Sequence, residues 1–135
     1  MGLVIDTSAW IEVFRASEVG KEVINHIRVN NEILTPTIVL AEMRYVYVRD
    51  GFSDDEFDHD IKVIKKLSEI VDLDEGTAIA AGYKRATIGV RRISYQDCIL
   101  IETAERYSFN VISTDQHFEH IPNAIYLREG EERHD

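Results

Sequence analysis

Cysteine is almost absent from this chain. Cys98 stands alone among 135 residues, which excludes an intrachain disulfide and a cysteine zinc cluster and suits a reducing, cytoplasmic setting. Proline and glycine are scarce, at two and seven residues, so no flexible linker or low-complexity tract is expected. No apolar run approaches the roughly 20 residues needed to cross a bilayer. The N-terminal run Leu3-Val4-Ile5 has neither the basic lead nor the long apolar stretch of a signal peptide. Asp6 stands where a myristoylation motif after Gly2 wants Ser or Thr. Positive charge is in deficit too, with a formal net charge of −10. A field of that sign repels phosphodiesters at long range. It argues against a general nucleic-acid binder and fits a protein that binds divalent cations or a basic partner.

What remains is an ordered globule. At 44% hydrophobic residues, a single domain of this length can bury a proper core without staples. Short apolar runs alternate with longer helical patterns. Leu3-Val4-Ile5, Ile33-Leu34, Ile70-Val71-Asp72-Leu73, Val111-Ile112 and Ala124 to Leu127 read as strands. Ser8 to Phe14, with Ser8 as N-cap, reads as a short helix, and Val19 to Val29 as a longer one. Pro36 suits the first turn of a third helix capped by Thr35 and stopped by Asp50-Gly51. Ser53 to Glu56 is a capping box, followed by a buried stripe of Phe57, Ile61, Ile64 and Leu67. Thr77 to Thr87 and Ser94 to Tyr107 are the last two helices. This alternation predicts an α/β fold, a parallel sheet covered on both faces by helices. A charged tail, residues 128–135, follows the domain of residues 1–127 and is expected to fray.

Four acids stand out against this frame: Asp6, Glu42, Asp97 and Asp115. Asp6 and Asp115 follow strand-like runs, where α/β sheets bind ligands. Glu42 has Ile38 and Val39 one turn back and Tyr45 and Val46 one turn on, so it points with an apolar face. Asp97 lies three residues after Ser94 and shares a face with Leu100, Ile101 and Ala104. Taken singly, each has a plain alternative. Asp6 could cap the first helix, Asp97 could complete a capping box with Ser94, Asp115 could cap a turn through Phe118, and Glu42 could pair with Arg44 or a remote arginine. Capping does not explain all four at mutually reachable ends. Four carboxylates at the edge of a core are costly to desolvate unless paired or bound to a metal. Gathered together they suit Mg²⁺ or Mn²⁺, which prefer hard oxygen ligands. Ser8 and Thr114 add hydroxyls nearby, to position water or phosphate or merely to cap helices.

These motifs resemble the PIN-domain ribonucleases, and among them the VapC-type toxins of toxin–antitoxin pairs. The resemblance rests on Val4-Ile5-Asp6-Thr7-Ser8, Glu42 after Pro36, Tyr95-Gln96-Asp97-Cys98-Ile99, and Ser113-Thr114-Asp115 before Phe118. It implies a three-layer α/β/α PIN-like fold with a parallel sheet of about five strands. It implies an endoribonuclease using Mg²⁺ or Mn²⁺ held by Asp6, Asp97, Glu42 and Asp115, with water attacking in line to leave 5′-phosphate and 3′-hydroxyl ends. It further implies an antitoxin partner and a homodimer.

Arg91 and Arg92 are candidates for the RNA backbone, against solvated surface charge as the alternative. Tyr95 is a candidate to stack on a base, against core packing. His117 is close enough to Asp115 to touch substrate, against a surface role. His59, His117 and His120 have no matched zinc-ligand spacing, and Cys98 reads as a small core residue. Two other classes remain. A phosphoreceiver domain wants an acidic pair after its first strand and a lysine near its last, and neither is here. The other is a non-catalytic interaction module on the same fold, binding a basic peptide, against which the intact acid set weighs.

Overall fold

β1 (Gly2–Ile5) is buried at every position, as a strand is when helices cover both faces of its sheet. The protein is described by a computed structural model covering residues 1–128. In it β1 is the centre of a five-stranded sheet of order β3-β2-β1-β4-β5, with β2 (Glu32–Pro36), β3 (Glu69–Val71), β4 (Asn110–Ser113) and β5 (Ala124–Tyr126). Every pairing is parallel, and Val4 lies in register with both Leu34 and Val111.

Between β1 and β2 run α1 (Thr7–Arg15) and α2 (Glu18–Val29), and between β2 and β3 run α3 (Thr37–Arg49) and α4 (Asp54–Leu67). Next, α5 (Glu75–Thr87) and α6 (Tyr95–Tyr107) carry the chain back across the sheet to β4. Crossovers between parallel strands are right-handed. A reversal of direction therefore moves the last two helices to the opposite face from the first four, giving the three layers the sequence predicts. It also makes the β1/β4 boundary a switch point, where a crevice opens beyond the carboxyl ends of the strands. Trp10, Phe118, Leu3, Ile5, Leu34 and Met43 are among the largest fully buried side chains.

Local signals placed most boundaries, with instructive exceptions. The capping boxes at Ser53 and Ser94 both form, with Glu56 and Asp97 as their acidic partners. The cap of α1 is Asp6, not Ser8, which lies inside the helix. Pro36 closes β2 instead of opening α3. Thr35 is drawn inward: its Oγ1 accepts from Trp10 Nε1 at 3.1 Å and lies 2.8 Å from Ser68 Oγ. A buried indole N–H needs a partner, and that demand outweighs a helix cap. β3 ends at Val71, short of the expected Leu73, because Asp74 caps α5 by accepting from Thr77 N–H at 2.7 Å. In α4 only Ile64 of the expected stripe is fully buried, and Leu67 is 39% exposed. Arg128, where the charged tail was expected to begin, lies 3.7 Å from Glu119; residues 129–135 of that tail lie outside the described residues.

Gly20 is where α2 meets α1. Ser17 caps α2 through Gly20 N–H at 2.9 Å, and a Cβ at Gly20 would run into the Glu12 carbonyl of α1. Backbone cannot step aside as a side chain can. Gly20→Ala is expected to cost roughly 1–3 kcal/mol or more by overpacking. At Gly82 of α5, where a Cβ meets nothing within 4 Å, the same change should stabilise by about 0.5–1 kcal/mol through helix propensity. Urea denaturation of both variants checks this, and equal shifts of the same sign would refute it.

Candidate metal centre

The carboxyl end of β1 turns directly into α1, and Asp6 is the residue at the corner. Its backbone N–H still donates to Ile112 O of β4 at 3.0 Å, so the corner is tied to the neighbouring strand. The Asp6 carboxyl caps α1 through Oδ1, which accepts from Thr7 N–H at 2.8 Å. Oδ2 accepts from two hydroxyls, Ser8 Oγ at 2.8 Å and Ser113 Oγ at 2.7 Å. Those hydroxyls are themselves fixed: Thr114 N–H donates to Ser8 Oγ, and Asp115 N–H donates to Ser113 Oγ, each at 3.0 Å. The β1 and β4 corners are thus stitched together through two serines.

Asp6 is 4% exposed, and its carboxyl is pushed up to about 7. Loss of water is the main cause; the Ser113 and Ser8 hydroxyls pull the other way, and the nearby Glu42 and Asp97 charges add to the rise. That coupling places Glu42 and Asp97 within electrostatic reach of Asp6.

Asp97 sits at the start of α6, where Oδ2 accepts from Ser94 N–H at 3.1 Å. The same oxygen lies 3.0 Å from His117 Nδ1. His117 belongs to a 3-10 turn, Gln116–Phe118, capped by Asp115, whose Oδ1 accepts from His117 N–H at 2.9 Å. His117 Nδ1 is also 3.3 Å from Asp115 Oδ1. Potential ligand atoms of Asp97, Asp115 and His117 all lie within 4.8 Å of one another.

Glu42 is half-buried on α3. The buried stripe of that helix is Val39, Met43 and Tyr47, not the expected Ile38, Val39, Tyr45 and Val46, and Tyr45 is 65% exposed. Glu42 therefore stands at the margin of the core face. Its suggested partner Arg44 pairs with Asp54 at 2.7 Å instead, and among the described residues Glu42 has no ion-pair partner.

The structure thus brings Asp6, Glu42 and Asp97 into one electrostatic group, and Asp97, Asp115 and His117 into one contact group. Capping and clustering coexist, since Asp6, Asp97 and Asp115 all cap and all face this corner. The carboxylate oxygens suit a hard divalent cation, and His117 lies between two of them. A cation there would relieve the desolvation and repulsion that raise Asp6. Sequence offers His117 only as a substrate contact without metal-ligand spacing, and it does not single out Ser113; the structure places both on the carboxylates. The signal for Ser113 was a hydroxyl ending a buried strand, which must find a partner. For His117 it was a place two residues past an acid able to cap a turn. Arg91 and Arg92 are exposed in the α5–α6 connection. Tyr95 is 61% exposed, which overturns core packing for it, whereas Cys98 is buried as expected.

The family model described as PIN domain matches residues 3–124. No curated protein matches the chain significantly in sequence. Among solved structures, the chain is similar to VapC20 of Mycobacterium tuberculosis, titled a Sarcin-Ricin loop cleaving toxin. The TM-score is 0.76 at 14% identity, over 94% of this chain and 99% of that one. It is similar to VapBC2 of Rickettsia felis bound to a promoter DNA fragment, with TM-score 0.73 and 19% identity over 96% and 99% of the two chains. A DNA-bound VapBC of Salmonella typhimurium gives 0.71 and 19% over 95% and 98%. At such identities the likeness establishes the shared fold.

Proposed function

The chain belongs to the PIN-domain family, and from that premise we propose that it is a divalent-cation-dependent endoribonuclease of the VapC toxin kind, held in check by an antitoxin. The observation that supports this reading is that Asp6 is coupled electrostatically to Glu42 and Asp97, while Asp97 shares a contact group with Asp115 and His117, and that Asp6 is raised to about 7, chiefly by burial.

In this reading Asp6 and Asp97 are direct ligands of Mg²⁺ or Mn²⁺, and Glu42 and Asp115 complete the set. When bound, the cation supplies Lewis-acid polarisation of a phosphodiester and neutralises developing charge. The chain's own residues do the rest. Ser8 and Ser113 hold Asp6 in one rotamer. His117 fixes Asp97 against Asp115. Thr114 keeps its main-chain N–H on Ser8, locking the β4 corner. Water attacks the RNA phosphodiester in line, leaving 5′-phosphate and 3′-hydroxyl ends. Arg91 and Arg92 offset the net charge of −10 where the RNA backbone arrives.

A further similar solved structure is titled a toxin-antitoxin complex from Klebsiella pneumoniae, and an acidic chain suits a partner with basic segments. Exposed Ile79 and Tyr83, one turn apart on α5 and 70% and 74% accessible, favour a homodimer. No helix among the described residues is long and apolar enough to cross a membrane. The lone, buried Cys98 suits a reducing cytoplasm.

The test is incubation of purified chain, stripped of any copurifying protein, with single-stranded RNA in Mg²⁺, in Mn²⁺ and in EDTA. Cleavage in either ion with 5′-phosphate ends, absent in EDTA, is the expected outcome. Intact RNA in both ions would reverse the reading in favour of a non-catalytic interaction module.

A further inference from the structure

The acidity of this chain makes one corner conspicuous. Arg85, Arg91 and Arg92 have no ion-pair partner among the described residues, although the chain carries 25 acids. A cavity of about 390 Å³ lies between the end of α5 and the start of α6, lined by Arg85, Arg92 and Tyr95 with Gly82, Val90 and Ile93 among its walls and no carboxylate in its lining. Arg85 is pinned there: its Nε donates to Ile93 O at 3.1 Å, and its guanidinium carbon lies 4.2 Å from the centre of the Tyr95 ring. One side of the ring is thus held by a cation, yet Tyr95 remains 61% exposed. Arg92 is held at φ 63, a left-handed conformation that costs a non-glycine residue energy. Tyr95 is the first residue of α6, two positions before Asp97, so the cavity adjoins the acidic corner.

Each feature has a dull use alone. A surface tyrosine under an arginine is common, and a strained loop residue needs no ligand. Together they make an aromatic platform with a fixed orientation, a cationic rim and room for one heterocycle. Proteins that hold single-stranded nucleic acid combine these parts. We propose that this cavity is a nucleotide subsite: an unpaired base of a single-stranded RNA stacks on Tyr95, and its adjoining phosphate pairs with Arg92. The subsite rests on the ribonuclease reading. It seats a nucleotide flanking the scissile bond and presents the neighbouring phosphodiester to the carboxylates. It also gives an acidic protein a local means of holding a polyanion.

The test uses the full chain and a fluorescein-labelled, mixed-sequence RNA of about 12 nucleotides, within the span that single-strand sites cover. Anisotropy is read in Ca²⁺, whose looser coordination disfavours turnover. Tyr95→Ala is expected to weaken binding roughly five- to a hundredfold, the range for losing one base stack, and Tyr95→Phe to bind within about twofold of the unaltered chain because the ring remains. Arg92→Gln is expected to reduce the slope of log Kd against log salt by about 0.7, one phosphate contact on a single strand. Circular dichroism confirms that each variant is folded. Wild-type affinity in Tyr95→Ala would overturn the proposal. So would a Tyr95→Ala change confined to oligomeric state by light scattering, or equal competition by polyglutamate, which would make this a protein-docking face. The two readings separate cleanly. If the chain cleaves RNA but Tyr95→Ala binds normally, the subsite falls and the nuclease stands. If the chain never cleaves but Tyr95→Ala loses RNA, the nuclease falls and the subsite stands.

Discussion

Replacing Asp97 by Asn should all but eliminate RNA cleavage while leaving the protein folded. The two roles of this residue make the prediction sharp. As a cap, the Asp97 carboxylate accepts from Ser94 N–H, and the Asp97 N–H donates to Ser94 Oγ at 3.0 Å. An amide oxygen can accept from Ser94 N–H equally well, so the capping box survives. What is lost is the favourable charge at the helix start, worth about 0.3–1 kcal/mol. As a metal ligand, Asp97 supplies a negative oxygen that an amide replaces poorly. Charge stabilisation by a bound cation is worth several kcal/mol, so its disruption should lower kcat by roughly a hundredfold or more. Cleavage assays in Mn²⁺ together with urea melts check both halves. Near-normal cleavage with the same small loss of stability would mean Asp97 only caps. The His117 contact is preserved in this variant, because the amide oxygen can still accept from Nδ1–H. The change therefore removes charge and little else.

The sequence made the layers legible and left the site half-drawn, for physical reasons. Strand cores such as Leu3 to Ile5 and Val111 to Ile112 are apolar on both faces, and caps such as Ser53 and Ser94 act over three residues. Both signals are local, so both could be read. Thr35 failed because its partner, Trp10, is 25 residues away, and no local rule weighs an indole N–H against a helix cap. The face assigned to Glu42 failed for a similar reason. Apolar residues occur nearly all round α3, so spacing alone could not say that Val39, Met43 and Tyr47 are buried while Tyr45 faces out. The acids themselves were visible because charge at the end of an apolar run is costly. Their supports were not, since Ser113 and His117 act through contacts 107 and 20 residues away in sequence. Hydroxyls and imidazoles are ordinary on surfaces, and only the fold reveals that these two hold carboxylates.

Asp6→Asn should invert the usual outcome of altering a buried, hydrogen-bonded residue: activity is expected to vanish while the metal-free protein becomes more stable above neutral pH. The Asp6 carboxyl titrates near 7 in the folded chain against an ordinary value of 3.8. Between those limits the unfolded chain has released the proton and the folded chain still holds it. Stability therefore falls as pH rises through that window and levels off above about 7. The full loss is on the order of 4 kcal/mol. Asn escapes this loss because it never ionises. It can still cap α1 at Thr7, and its amide N–H can donate to Ser8 and Ser113, whose hydroxyls rotate to accept. The stability difference between variant and parent should thus be small near pH ~4 and largest near pH ~8. A cation reverses the trend for the parent alone. It binds the ionised carboxylates, so Mn²⁺ should raise the parent's melting temperature more at about pH 8 than at about pH 5. The same ion should raise that of the Asp6→Asn variant far less. Should Asp6→Asn prove less stable at the alkaline end and still cleave RNA at full rate, Asp6 is a structural cap and the cation lies elsewhere. If stability rises and cleavage is lost, the burial that makes this carboxylate expensive is the same burial that readies it for a metal.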